Sequence, residues 1–434
     1  AGETTLVTIT FSESVSGFTN AALSVPNGTL SAVSSSDGGI TWTATFTPSV
    51  GINDTSNLIT LDNTGIADLA GNAGTGTTNS ANFTIDTVLP TATIVVADNA
   101  LNIGESTVVT ITFSEAVTGF TNADLSIANG TLSAVSSSDG GITWTATFTP
   151  IANITDSSNL ITLDNSGVQN ASGNAGSGST DSNNYAIDTQ RPTATIVVAD
   201  NTLAIGETSL VTITFNEAVT GFTTADLTVA NGTLSGLSTG DGITWTATFT
   251  PSASITDTSN VITLDNSGIA DLAGNAGSGT TDSNNYAVDT LRPTATIVMA
   301  DPTLSAGETS LVTITFSEAV SGFDNADLSV PNGTLSAVSS SDGGITWTAT
   351  YTPTVGIVDL TNLISLNNAG ITDIAGNTGS GSTNSANFTI DTVLPTASIV
   401  VADTGLAVGE TSLVTITFSE AVTGFSNADL SIAN

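Results

Sequence analysis

The chain of 434 residues carries 39 Asp and Glu against only 2 Lys and Arg, a formal net charge of −37, and it has no His and no Cys. Its two cations are Arg191 and Arg292, so it has no Lys at all. This composition excludes His/Cys zinc and iron centres, Ser-His-Asp and Cys-His nucleophiles, Schiff-base lysines and P-loops. It also sets nucleic acid aside as a partner, because phosphates would be repelled. With 39% hydrophobic residues the sequence is too apolar for a disordered chain. No apolar run approaches the roughly 20 residues of a membrane span, so no membrane insertion is expected in this segment.

An internal repeat organises everything else. Gly-Glu pairs recur at Gly2, Gly104, Gly206, Gly307 and Gly409, in steps of 102, 102, 101 and 102. The four Trp residues, Trp42, Trp144, Trp245 and Trp347, keep the same period. The run from Gly28 to Pro48 matches Gly130 to Pro150 residue for residue, and differs from Gly333 to Pro353 only where Phe46 becomes Tyr351. Taking the junction prolines Pro90, Pro192, Pro293 and Pro395 as boundaries gives domains 1–89, 90–191, 192–292, 293–394 and 395–434. The first copy lacks its opening strand and the last stops partway, as expected of a window on a longer array.

Within the copy from Pro192 to Arg292, alternation of period two predicts seven strands in chain order. Ala194 to Val198 opens the set, and Leu210 to Phe215 alternates apolar residues with Thr. Asp226 to Val229 follows, then Asn231-Gly232 as a tight-hairpin signal, then Thr233 to Leu237. Ile243 to Phe249 puts Ile, Trp, Ala and Phe on one face, which predicts a buried Trp245. Val261 to Leu264 and Tyr286 to Val288 complete the set. No segment has helical periodicity. The expected fold is all-β, a tandem array of immunoglobulin-like seven-stranded sandwiches of about 102 residues. A barrel is the alternative, and a β-helix is disfavoured because its repeat would be much shorter.

Three phrases carry a family resemblance: Phe113-Ser114-Glu115-Ala116-Val117, Asp271-Leu272-Ala273-Gly274-Asn275, and Ile187-Asp188-Thr189 followed by Pro192. They resemble the bacterial Ig-like tandem repeats that extend giant secreted surface adhesins, including the repeats-in-toxin adhesins. The resemblance implies export to the bacterial cell surface, a stalk role in cell adhesion, and calcium at domain junctions in many relatives. Copy two departs from the pattern, because Gln169-Asn170-Ala171-Ser172-Gly173-Asn174 lacks the acid found at Asp68, Asp271 and Asp373.

Antiparallel strands allow the acids to be assigned to poles. At the pole of copy two that faces copy three, the loops and the last strand carry Asp98, Glu105, Asp156 and Asp188. The facing pole of copy three carries Glu217, Asp265 and Asp271. Like charges gathered there would repel, and a hard divalent cation with carboxylate and carbonyl ligands, Ca2+, would remove the repulsion. Much of the set recurs as Asp200, Glu207, Asp257 and Asp289 with Glu318 and Asp373, and again as Asp301, Glu308, Asp359 and Asp391 with Glu420. The alternative is solvated charge that keeps a long fibre soluble. No EF-hand loop is present.

Paired carboxylates are the machinery of a glycosidase, but their recurrence on near-identical copies with no aromatic cleft argues against one, and no catalysis is expected. The function expected is a structural stalk, its partners being neighbouring repeats of the same chain. Alternatives are a self-assembling extracellular filament or sheath joined to other copies of the chain, or a repeat module that holds polysaccharide or a receptor.

Overall fold

The computed structural model describes residues 1–433, so Asn434, the end of the fifth expected domain, lies outside the described residues. Among the described residues every regular element is a strand or a single 3-10 turn, and there is no α-helix.

The second repeat shows the plan. One sheet has the order Ala92–Val96, Thr107–Phe113, Thr143–Pro150, Gly130–Leu132, with Ser136–Ser137 also paired to Thr143–Pro150. Two three-stranded sheets complete the sandwich: Ala100–Leu101 beside Tyr185–Asp188 beside Thr155–Asn159, and Leu125–Ile127 beside Ile161–Asp164 beside Ser179–Asp181. Residues of all three share one core, including Ile94, Ile111, Phe148, Leu163 and Tyr185. Thr107–Phe113 alternates buried and outward-facing positions along its length, which is what the Thr/apolar pattern encodes. Its buried Thr107 is satisfied because its Oγ1 accepts from the Asp98 N–H at 2.8 Å.

Two expectations change. The tryptophans are half-buried at the edge of the core, not enclosed by it. Trp144 stacks edge-on against Phe120 at 5.3 Å, and its indole N–H reaches the Gly141 carbonyl at 3.1 Å. That keeps the polar rim of the ring beside the turn. The enclosed aromatics are instead Phe148 with Tyr185, and Tyr351 with Phe388.

Nor does Asn231-Gly232 close a hairpin. Leu227–Val229 pairs with Ile262–Asp265, whereas Gly232–Thr239 pairs with Thr244–Pro251 in another sheet. The dipeptide is a crossover between layers. Its Asn takes the left-handed φ of 51°, and a Cβ on Gly232 would lie 2.3 Å from the Phe249 ring.

The chain divides into two compact units. The first holds residues 1–193 together with 217–221 and 267–278 of the third repeat; the second holds the remainder. Each unit contains one junction with a cluster of three acids.

Candidate metal centre at the repeat junctions

In the first unit, Asp188 ends the last strand of repeat two, Tyr185–Asp188. Glu217 follows the Ser209–Phe215 strand of repeat three, and Asp271 ends the short Ala270–Asp271 strand paired with Val219–Thr220. Carboxylate oxygens of the three lie within 4.8 Å of one another. Asp188 and Glu217 are half-buried and Asp271 is buried. At an effective dielectric of about 20, each like-charged pair at this spacing costs roughly 3 kcal/mol. Metal–oxygen bonds of about 2.3–2.6 Å put ligands on opposite sides of an ion about 5 Å apart, so the three carboxylates could hold one shared metal ion.

The second unit repeats the arrangement with Asp289, Glu318 and Asp373. There Glu318 Oε1 is enclosed with no hydrogen-bond partner among the described residues, as is Glu115 Oε1 at the junction of repeats one and two. Burial, and then the charges of Asp289 and Asp373, push the Glu318 carboxyl above the usual carboxylate range.

The loop after the third acid clasps the two repeats together. Asn275 donates from Nδ2 to the Asp188 carbonyl at 2.9 Å and to Asp271 Oδ2 at 2.8 Å, and its Oδ1 accepts from the Ile103 N–H at 2.7 Å. Asn377 does the same toward Asp289, Asp373 and Ile205. Asn174 donates to the Asp86 carbonyl at 2.9 Å, and its Oδ1 accepts from the Ala1 amino group. In the sequence, Asn275 stands out only as part of the phrase that carries the resemblance. Its recurrence at Asn72, Asn174, Asn275 and Asn377 was the available signal. Arg191 Nη1 donates to the Ala276 carbonyl, and Arg292 Nη1 to that of Thr378.

The remaining acids have other settings. Asp156 Oδ2 accepts from Asn129 Nδ2 at 2.8 Å, and Asp257 and Asp359 receive Asn231 and Asn332 in the same way. Asp156 and Asp188 nevertheless line one groove of about 260 Å³ with Asn102 and Ala273. Asp98, Asp200 and Asp301 cap turns through the N–H groups of Ala100, Thr202 and Thr303. Glu105, Glu207 and Glu308 accept from the N–H groups of Asn102, Ala204 and Ser305. Asp265 ends a strand opposite Thr280. Asp391 is exposed, and Glu420 Oε1 is enclosed without a partner among the described residues.

The tandem sandwiches define a class, and the sequence comparison gives the family. The chain belongs to the family described as Bacterial Ig-like domain, matched over residues 1–85, 86–187, 188–288, 289–390 and 391–434. From the second match on, each begins at a junction aspartate: Asp86, Asp188, Asp289 and Asp391. A search of curated proteins finds no match. Similar solved structures include the Escherichia coli adhesin FdeC, at 12% identity over 69% of this chain and 96% of that chain, with a TM-score of 0.29. The Yersinia pseudotuberculosis adhesin InvE is 15% identical over 46% of this chain and 58% of that one, with a TM-score of 0.20. The extracellular region of plexin A4 is 11% identical over 94% and 40%, with a TM-score of 0.19. Among the described residues no helix is long and apolar enough to cross a membrane.

Proposed function

We propose that this chain is a non-catalytic stalk segment of a bacterial surface adhesin, and that calcium holds its acidic junctions docked. The observation that carries the reading is an acid cluster assembled from two repeats. Asp188 ends a strand paired with Thr155–Asn159 of one sandwich, Glu217 and Asp271 border the Val219–Thr220 and Ala270–Asp271 pair of the next, and the same trio recurs as Asp289, Glu318 and Asp373. An ion shared in this way binds only while the neighbours are docked, so binding stabilises docking by mass action. The gain is about 2.7 kcal/mol when free calcium is 100-fold over its dissociation constant. The domain boundaries at Pro90, Pro192, Pro293 and Pro395 belong to the same reading, with Pro limiting chain freedom at each junction.

Calorimetric titration of the whole chain with calcium after chelator treatment tests it. Two tightly bound ions per chain, lost on Asp188→Asn with Asp289→Asn, are expected. The absence of tight binding, or binding that survives both substitutions, contradicts the reading.

A further inference from the structure

The junction between repeats one and two has the same frame with one change of chemistry. Asp86 and Glu115 stand where Asp188 and Glu217 stand, but the third position is Asn170. Its backbone setting is that of the acids, since Asn170 pairs with Val117 as Asp271 pairs with Val219 and Asp373 with Val320. Asn170 Oδ1 accepts from the N–H of Asn174 at 2.9 Å and of Ser172 at 3.1 Å. Asp271 and Asp373 accept from Asn275 and Asn377 in the same way, at 2.8 Å. With its oxygen committed there, the amide must turn its nitrogen toward the junction. Nδ2 lies 3.2 Å from Asp86 Oδ2, 3.1 Å from Glu115 Oε2 and 3.2 Å from the Val88 carbonyl. Asp86 and Val88 belong to repeat one, Glu115 and Asn170 to repeat two.

We propose that the Asn170 amide is a built-in substitute for the cation, so that the first junction is a permanently docked joint in a chain whose next two joints respond to calcium. The contrast rests on the calcium reading above; the amide bridge does not. Two N–H groups shared among two carboxylates and a carbonyl draw the same oxygens together that an ion would. Asn170 is also buried, and its N–H protons point at those oxygens, so a cation placed there would face the positive end of the amide dipole. The change also lowers the number of carboxylates from three to two, which leaves less repulsion for an ion to relieve.

The experiment is amide hydrogen exchange of the whole chain, with and without calcium, for the unaltered protein, Asn170→Asp and the reciprocal Asp271→Asn. In the unaltered protein, exchange over residues 170–174 should be the same in calcium and in chelator. Asn170→Asp should exchange there at least tenfold faster in chelator, with calcium restoring the protection and bound ions rising from two to three. Asp271→Asn should leave residues 271–275 protected in chelator and lower the bound ions by one. Calcium-dependent protection of residues 170–174 in the unaltered protein would overturn the proposal, as would unchanged exchange of Asn170→Asp in chelator. If no variant binds calcium, the stalk-calcium reading fails, and the chelator arm alone decides the amide bridge. Aspartate already occupies this position in repeats three and four and asparagine in repeat two, so neither variant threatens the fold.

Discussion

At the scale of single residues, Asn275 concentrates the docking chemistry. It is buried, with both ends of its amide engaged across the junction. Asn275→Ala leaves the Ile103 N–H and the Asp188 carbonyl without these partners, at about 1–3 kcal/mol for each group that stays unpaired. The expected outcome is loss of exchange protection around Ile103, with the core strands unaffected; unchanged protection contradicts it. Glu318 gives a pH signature. Its pKa is raised in the folded chain, so its contribution to stability is fully present below the ordinary carboxyl value and is lost as pH rises through the raised one. In chelator, the denaturation midpoint should therefore fall between pH 4 and pH 7 by more in the unaltered protein than in Glu318→Gln. An equal pH response of the two would show that burial at this junction imposes no strain on the charge.

At the scale of elements, a pair of aromatics solves one problem in two ways. The Tyr185 hydroxyl donates to the Ala128 carbonyl at 3.2 Å, while in repeat four Tyr351, from the facing strand, donates to Pro331 at the equivalent position at 2.8 Å. Tyr185→Phe should cost about 1 kcal/mol, and adding Phe148→Tyr should restore most of it. A double variant no more stable than the single one, by denaturant midpoint, contradicts this. The turn before Thr143–Pro150 behaves oppositely to Glu318. The backbone N–H of Thr143, then its side chain, and the hydroxyl of Ser137 hold the Asp139 carboxyl down to about 2. Its contribution is present above the ordinary carboxyl value and fades as pH falls toward 2, so Asp139→Asn should flatten only the acid limb of the stability curve. Strand positions were legible in the sequence because Thr/apolar alternation has the period of a strand exposed on one face. The two-residue strands such as Val117–Thr118 were not, being too short to show any period. The Asn-Gly crossover was misread for a related reason. Left-handed Asn followed by Gly is compatible with a hairpin, and only the Phe249 ring over Gly232 shows that the chain changes sheets.

At the scale of the whole molecule, the repeat period together with the strand alternation inside each copy points to the sandwich array. Strand directions assign seven acids to the poles of this junction, of which three, Asp188, Glu217 and Asp271, have carboxylate oxygens within 4.8 Å of one another. Sequence does not separate these three from Asp156, because Asn129 pairing with that carboxylate depends on contacts between residues far apart in sequence. Loss of an acid at Asn170 was visible, but its consequence needed the direction of the amide nitrogen. The most direct test of the central claim is small-angle scattering of the whole chain in calcium and in chelator. Docking through shared ions predicts a larger maximum dimension in calcium, with a smaller and more variable one in chelator while strand content by circular dichroism stays constant. Superimposable scattering in the two conditions would contradict it, leaving the acid clusters as solubilising charge and the clasps of Asn174, Asn275 and Asn377 to hold the junctions alone.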